Sequence, residues 1–486
     1  MARAQRRGRR ALSSKRERGL DFPRDSAFTV AVFVAALLPR LFVAIAWAKE
    51  PVWDGHYYHF GAERIARGLG YSEDVMMHGH LLWKPWVHYP VGYSALLGFF
   101  YRLFGAELVV APVINAFTGA LLVVVVHRVA RYYVSRDRAR VAAGLTALHP
   151  GLIAYSAAVM TEPLAALLML GAALAALRFR GRWQGILYAG VLLGLAALVR
   201  PASLVAAPLL ILTQPRPLLQ AGLRALAVSA VALLVVLPWT LRNCARLDGC
   251  ALVSTNGGWN LAIGAVTETG RFQTLHGSDG CPIVTGQVQQ DRCWADVGRA
   301  KIAADPGRWL RLAPLKLSQT FDHESFAIEY LHEADPDSWP EPRRVAAREL
   351  LTAFHRALLV LAALSVVAWP RWDRARRAAF FTQLSLGAVV LGLGAYAALG
   401  DVHPFYVLAV LTPLIATIPV LPGAPEQGPA GDYLLSLLAA TALTHVVFFG
   451  EDRYHLVVSP ILCILAAAAL RAQATVSGPS LSANAR

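Results

Sequence analysis

The sequence predicts an all-α polytopic membrane protein: a bundle of about 12 transmembrane helices with interfacial helices and an extracytoplasmic loop domain. Three observations predict it. Of 486 residues, 56% are hydrophobic and only 16% charged, whereas a soluble domain carries about 25% charged residues. The apolar residues fall in long runs, as bilayer-spanning segments require. The formal net charge of +15 sits in short arginine clusters between those runs. That is the positive-inside bias, so the basic balance implies a membrane topology and no nucleic-acid partner.

The first 20 residues are strongly basic (Arg3, Arg6, Arg7, Arg9, Arg10, Lys15, Arg16, Arg18), and the apolar run 26–47 follows. That run is too long for the core of a cleavable signal, so it reads as a retained first helix behind a basic cytoplasmic tail, 1–25. Further apolar segments lie at 109–130, 141–159, 163–179, 185–200, 202–213, 225–241, 351–369, 378–399, 404–421, 432–449 and 456–470. With the N-terminus inside, the inner loops carry Arg131, Arg136, Arg138 and Arg140, then Arg180 and Arg182, Arg216 and Arg224, and finally Arg371, Arg374, Arg376 and Arg377. The inner loop 422–431 has no Lys or Arg and is silent. Both termini are expected inside. The resulting organisation is an N-terminal transmembrane module, 26–241, with a first extracytoplasmic loop at 48–108, a long extracytoplasmic loop domain at 242–350, a C-terminal transmembrane module at 351–470, and a cytoplasmic tail at 471–486.

The cysteines test this orientation independently. Cys244, Cys250, Cys281 and Cys293 all fall in the long outer loop, on the oxidising side where disulfides persist. Two disulfides are expected, and four cysteines leave three pairings open. Cys463 lies in an apolar span and reads as a small core residue.

Polar groups then gather at the outer helix ends: Asp54, Glu162, Arg200, Arg242, Asn243, Asp401, His403, Arg453 and Tyr454. In the first outer loop, residues 57–69 set Tyr58, Ala62, Ile65 and Leu69 on one helical face against His59, Glu63 and Arg67, with Gly68 and Gly70 ending the helix. The aromatic stretch 90–105 and the stretch 305–319, with Trp309, Leu310 and Leu317 against Arg308, Arg311 and Lys316, read as further interfacial helices. Arg40 lies inside the first span, where an unpaired charge costs about 2.5–3.5 kcal/mol, so it is expected to pair within the bundle. The outer histidines His56, His59, His78, His80 and His88, with Glu73 and Asp74 nearby, do not declare the three or four convergent ligands of a zinc site. No metal and no cofactor are expected.

The order of several strings carries a resemblance: Asp54 soon after the first span, then GLGY (68–71), HYPVGYSALLGFFYRLFG (88–105), TEP (161–163), LVRPAS (198–203), PWTLRN (238–243), STNGGWNL (254–261) and RYHLVVSP (453–460). The chain resembles the GT-C superfamily of membrane glycosyltransferases, in the branch of the protein O-mannosyltransferases and bacterial aminoarabinose transferases. The resemblance implies a GT-C-like bundle, a polyprenyl-phosphate sugar donor, membrane lipids as neighbours, and an acceptor that the sequence does not identify. It implies a catalytic role for Asp54, with Glu162 as a second acid near the site. It also implies donor phosphate and lipid contacts by Arg453, Tyr454, Arg200, Arg242, Lys84, His88 and Tyr89, and substrate contacts by Asn243, Asn256 and His403. Where many relatives have a basic residue before the proline-tyrosine element, this chain has His88 and Tyr89. No Asp-x-Asp motif follows the first span.

A carboxylate at Asp54 suits the chemistry, because it accepts the proton of an attacking hydroxyl or amine; such positioned transfer contributes roughly 10²–10⁴-fold. Asp54 also reads as a cap of the helix after it, Glu162 as a turn residue before Pro163, and Arg453, Arg200 and Arg242 as interfacial arginines meeting lipid headgroups. The expected activity is sugar transfer on the outer face of the cell (inner) membrane. The alternatives are a transporter or flippase, or a ligase, of lipid-linked saccharides. No internal repeat of the transporter type is evident.

Overall fold

The structure, a computed structural model, describes residues 25–77, 79–215, 217–282, 286–367, 377–400, 402–417 and 427–470. The expected tails at 1–24 and 471–486 lie outside them, as do His78, Arg216, Arg371, Arg374, Arg376 and Asp401. The expected all-α membrane class is what the chain adopts.

Each expected apolar run contains helix within its described residues, and 202–213 is two 3₁₀ turns about the short helix Ala206–Leu209. Among the described residues, Ser26–Ala46, Val110–Ala130, Leu218–Arg246, Arg377–Leu399 and Gly428–Val447 are long and apolar enough to cross a bilayer. The first of these shows why it belongs in lipid. Val30, Val34, Leu38, Phe42 and Ile45 repeat at helical spacing and are 45–68% exposed, while Val32, Ala36, Arg40 and Val43 face the bundle. A stripe of that kind is unfavourable in water and at home among acyl chains. The run expected at 141–159 is interrupted: a helix Arg136–Ala147 stops, and His149 caps a short helix Pro150–Ala154. Pro150 has no N–H to give the preceding turn, which ends the first piece. At the centre lies Ser459–Ala469, buried from Ser459 to Ala468. Its small residues permit the close approach that membrane helices use in place of a hydrophobic driving force.

The end of the bundle expected inside is organised by a residue that sequence reading passed over. Asp25 receives Arg136 at 2.6 Å, Arg140 at 3.5 Å and Arg131 at 3.9 Å. The start of the first helix and the arginine-rich loop near 131–140 therefore share one end of the bundle. Arg40 is buried and donates to Ala36 O and Ala147 O at 2.9 Å and to Thr146 O at 3.0 Å. It sits at the carbonyl end of Arg136–Ala147, where a cation is favoured.

The end of the bundle expected outside carries the differences from expectation. The first outer helix runs Asp54–Ala66, three residues earlier than expected, and buries His59 and Arg64 as well as Tyr58 and Ala62. Gly68, at φ 79°, follows it. Residues Ser72–Met77 and His80–Pro85 form an antiparallel hairpin that sequence reading missed. Val91–Phe104 packs Tyr93, Leu97 and Tyr101 inward and exposes Phe99, Leu103 and Phe104, in keeping with an interfacial helix. The stretch 305–319 departs from its expected faces. It divides into Pro306–Arg311 and Ala313–Phe321, with Leu310 exposed and Lys316 buried. Lys316 donates to Val446 O at 3.0 Å and Val447 O at 3.5 Å. It satisfies carbonyls at the C-terminus of Gly428–Val447, a demand that outranks its hydrophilicity. The stretch 242–350 holds disulfides Cys244–Cys250 and Cys281–Cys293, and Cys463 is free and buried.

Candidate active site

Asp54 is the first residue of its helix and does not cap it with its side chain. The residue before it, Trp53, has φ 50° and is the one non-glycine with positive φ among the described residues. Such backbone costs of order 1–3 kcal/mol. It is held by the indole's packing on Phe326 and Tyr330, with ring centres 5.4 and 6.0 Å away. Tyr89 donates to Asp54 Oδ1 at 2.7 Å, and Arg453 Nη1 donates to Oδ2 at 2.6 Å. Burial raises the proton affinity of this carboxyl, but the charge and hydrogen bond of Arg453, with the Tyr89 hydroxyl, bring it below the ordinary carboxylate range.

Arg453 belongs to the 3₁₀ turn Asp452–Val457. Its Nε lies 2.5 Å from Glu451 Oε2, and its guanidinium covers the rings of Phe326 and Tyr454 at 5.0 Å. Burial disfavours its charge, yet Glu451 and Asp54 hold its proton more tightly than usual. Glu451 moves the other way: burial pushes its carboxyl above the ordinary range against the pull of Arg453. The same Tyr454 ring has Arg200 on it at 5.4 Å and stacks on His445 at 4.4 Å. Arg200 donates through Nη1 alone to Glu162 Oε1 at 2.7 Å and Thr161 Oγ1 at 3.0 Å.

These groups open on one cavity of about 480 Å³. Of the expected site residues, Asp54, His88, Tyr89, Arg200, Asn256, Arg453 and Tyr454 line it. Aliphatic groups such as Met169, Val205, Leu437 and Ala440 form another part of the wall, drawn from helices of the bundle. Burial holds His88 below the ordinary histidine range, although Asp54 pulls the other way. At neutral pH His88 is therefore a hydrogen-bonding group and not a cation. Glu162 is buried behind Arg200 and fixes it.

The other expected residues are used elsewhere. Arg242 stacks on Trp239 at 4.5 Å and donates to Tyr71 O at 2.6 Å and Trp86 O at 3.4 Å. Asn243 donates to Ala251 O at 3.0 Å and shapes the turn towards Asn256. Arg242 thereby ties the 48–108 segment to the one that follows Leu241, as does Thr255 N donating to Val87 O at 3.0 Å. Lys84 lies on the hairpin opposite Glu73. His403 bonds through Nδ1 with Ala397 O at 2.6 Å. Of the outer histidine and acid group, Asp74 is taken bidentately by Arg64 at 2.7 and 2.9 Å. Sequence reading did not single out Glu451, Trp259 or His445, and placed Tyr58 only on the apolar face of its helix, not in the site. Glu451 and Trp259 stand inside or beside strings already quoted, whereas His445 shows itself only through its stacking on Tyr454.

Residues 88–241 match the family described as dolichyl-phosphate-mannose-protein mannosyltransferase, which bears out the resemblance over that segment. No curated protein matches the chain. Among solved structures, it is similar to the oligosaccharyltransferase of Archaeoglobus fulgidus tethered with an acceptor peptide, at 15% identity and TM-score 0.46, covering 91% of this chain and 49% of that one. It is also similar to ArnT from Cupriavidus metallidurans bound to undecaprenyl phosphate, at 14% identity and TM-score 0.37, covering 89% and 78%. The chain thus spans about half the length of the oligosaccharyltransferase.

Proposed function

We propose that the chain is a glycosyltransferase that moves a sugar from a polyprenyl-phosphate-linked donor to a lipid, glycan or protein acceptor on the extracytoplasmic face of the cell (inner) membrane. One observation carries this reading: a single cavity lined by one carboxylate, two arginines and an aliphatic wall. That combination suits a sugar joined through phosphate to a lipid. The match to the mannosyltransferase family over 88–241 supports the chemistry, and the two disulfides of the 242–350 loop support an oxidising side for the site.

In this reading the donor phosphate lies against Arg200 and Arg453, whose guanidiniums bind its oxygens in charge-assisted pairs. The acceptor's oxygen or nitrogen attacks the anomeric carbon as the bond from that carbon to the phosphate oxygen breaks. Asp54 takes the acceptor's proton, and the electron pair leaves with the polyprenyl phosphate. A single inverting displacement satisfies this geometry most simply. Asp54 is ionised at neutral pH, so it is a weak base in the ground state. It becomes competent as bond formation acidifies the attacking group. The aliphatic wall accommodates the first isoprene units, and Glu162 acts by holding Arg200.

The test uses the purified full chain in detergent with a labelled polyprenyl-phosphate sugar. Wild type releases polyprenyl phosphate, and Asp54→Asn lowers the rate by at least about 100-fold. Wild-type turnover by Asp54→Asn removes Asp54 from the mechanism. Movement of the donor across liposomes without turnover replaces the transferase by a transporter.

A further inference from the structure

Outside the cavity lining lies a second cluster that the transfer reaction does not use. Glu324 stands between the helices Ala313–Phe321 and Phe326–Ala334, His355 on Glu341–Ser365, and His455 in the turn Asp452–Val457. Their relative exposures are 2%, 0% and 0%. One potential ligand atom from each lies within 4.8 Å of the other two. The two imidazoles are stacked with centres 3.8 Å apart, and His455 Nε2 is 3.5 Å from Glu324 Oε2.

The hydrogen bonds at the rim assign the tautomers. His355 Nε2 faces Phe321 O at 2.9 Å, and His455 Nδ1 faces Thr320 O at 2.7 Å. A carbonyl only accepts, so each of these nitrogens carries the hydrogen. In the neutral rings His355 Nδ1 and His455 Nε2 are then bare lone pairs. Glu324 adds two more acceptor atoms. His355 Nδ1 and Glu324 Oε1 are buried without a hydrogen-bond partner. Four acceptor atoms on three buried residues thus lie together, and a cation is what such a group lacks. Anchoring one imidazole nitrogen on a carbonyl while the other is left bare is also how metal-ligating histidines are oriented. The chain makes room for the carboxylate: a Cβ at Gly151 would stand 1.4 Å from Glu324 Oε1.

We propose that Glu324, His355 and His455 bind one divalent transition-metal ion that fixes the turn carrying Arg453. Two nitrogens and one carboxylate oxygen are a zinc-type donor set. Tetrahedral bonds of about 2.1 Å separate donors by roughly 3.4 Å, which the 3.5 Å edge between His455 and Glu324 already matches. The ion joins three segments of the outer half. His455 follows Arg453 by two residues, so the metal sets where that guanidinium stands. It is a positioning device, apart from the reacting groups.

The experiment uses the full chain in detergent, with any affinity tag removed. Elemental analysis should find about one zinc per chain. Exchange into Co²⁺ should give the visible absorption of a four-coordinate site. Glu324→Gln and His355→Gln should each lower retained metal at least tenfold, whereas Asp54→Asn should retain it whatever its turnover. Wild type that carries no metal and takes up neither Zn²⁺ nor Co²⁺ overturns the proposal, and so does equal retention by wild type and both variants. If the variants fail to fold, the Co²⁺ spectrum of wild type decides alone.

Discussion

Replacing Arg453 with Gln removes the cation that Asp54 and Glu451 share at 2.6 and 2.5 Å. Breaking a buried ion pair by deleting one partner costs about 3–5 kcal/mol. A carboxylate escapes that cost by taking up a proton, at about 1.4 kcal/mol per pH unit. Asp54 should therefore gain roughly 2–3 pH units in proton affinity if protonation relieves most of the penalty. Burial, which already works in that direction, then meets chiefly the Tyr89 hydroxyl. The sign follows from the role proposed for Asp54. In wild type its affinity is depressed, so the ionised form and the stability of its ion pair persist at neutral pH and are lost only as pH falls through the carboxylate range. In Arg453→Gln the acid limb of kcat moves up towards neutrality. Arg453→Lys keeps the charge and should hold the limb near its wild-type place. Both variants should raise the donor KM, because both lose the guanidinium fork. Initial rates of polyprenyl phosphate release at saturating donor, from pH 4.5 to 8.5, measure the limb. An acid limb in Arg453→Gln that coincides with wild type would refute the argument that this arginine holds Asp54 ionised.

Gly55→Ala should place a Cβ 2.4 Å from the Tyr330 hydroxyl and 3.0 Å from Val159 O, an overpacking worth about 1–3 kcal/mol. Turnover should fall about tenfold with the chain still folded, and Tyr330→Phe in the same chain should restore part of it; strictly additive losses in rate and melting temperature count against this. Lys316→Met leaves the Val446 and Val447 carbonyls without their donor and should cost about 1–3 kcal/mol, read as a lower melting temperature. Burial, with Arg308, brings the Lys316 ammonium down to about 8. Wild type should therefore gain stability as pH rises from about 8 towards the unfolded value near 10.4. Melting curves of Lys316→Met should lack that gain.

The helices were legible because lipid imposes one rule, continuous apolar runs between charged loops, and the runs at 26–47 and 109–130 reappear as Ser26–Ala46 and Val110–Ala130. Asp54 and Arg453 were legible as outer-face charges within recognisable strings. Their pairing, across 399 positions, was not. Arg242 and Arg453 give the same signal in sequence, an arginine at an expected outer helix end, yet one is consumed by backbone carbonyls of Tyr71 and Trp86 and the other by the carboxylates of Asp54 and Glu451. Periodicity cannot tell them apart, because what differs is the partner and not the position. Lys316 failed for a related reason. A helical wheel assigns lysine to water, but the unpaired carbonyls of another helix make a stronger claim. The hairpin at 72–85 was hidden because neither SEDVMM nor HLLWKP alternates polar with apolar.

The turn from Glu451 to His455 gives consecutive side chains different anchors. Asp452 accepts from Ser325 Oγ at 2.9 Å and Phe326 N at 2.8 Å, Tyr454 stacks on His445, and His455 reaches Thr320 O. Asp452 and His455 are three apart, so a 3₁₀ turn sets them on the same side, towards the body of the protein. Arg453 is thereby committed to the cavity, held by Asp54 of the cavity wall and by Glu451 beside it. A donor phosphate has to compete with them, and Glu451 is the one that burial makes easier to protonate. A proton on Glu451 frees part of the guanidinium without disturbing Asp54, whose proton affinity lies on the other side of the ordinary range. The donor KM of wild type should therefore fall as pH drops through the raised range of Glu451. Glu451→Gln mimics the protonated state, so its KM should be low at every pH and several-fold below wild type at alkaline pH. Loss of one charge-assisted contact, worth about 1.5–3 kcal/mol at most, bounds that gain at roughly 10–100-fold. Donor titrations of both proteins at pH 6 and 8.5 measure it. A Glu451→Gln KM above wild type, or one that keeps the wild-type pH dependence, means that Glu451 orients Arg453 towards the phosphate and does not compete for it.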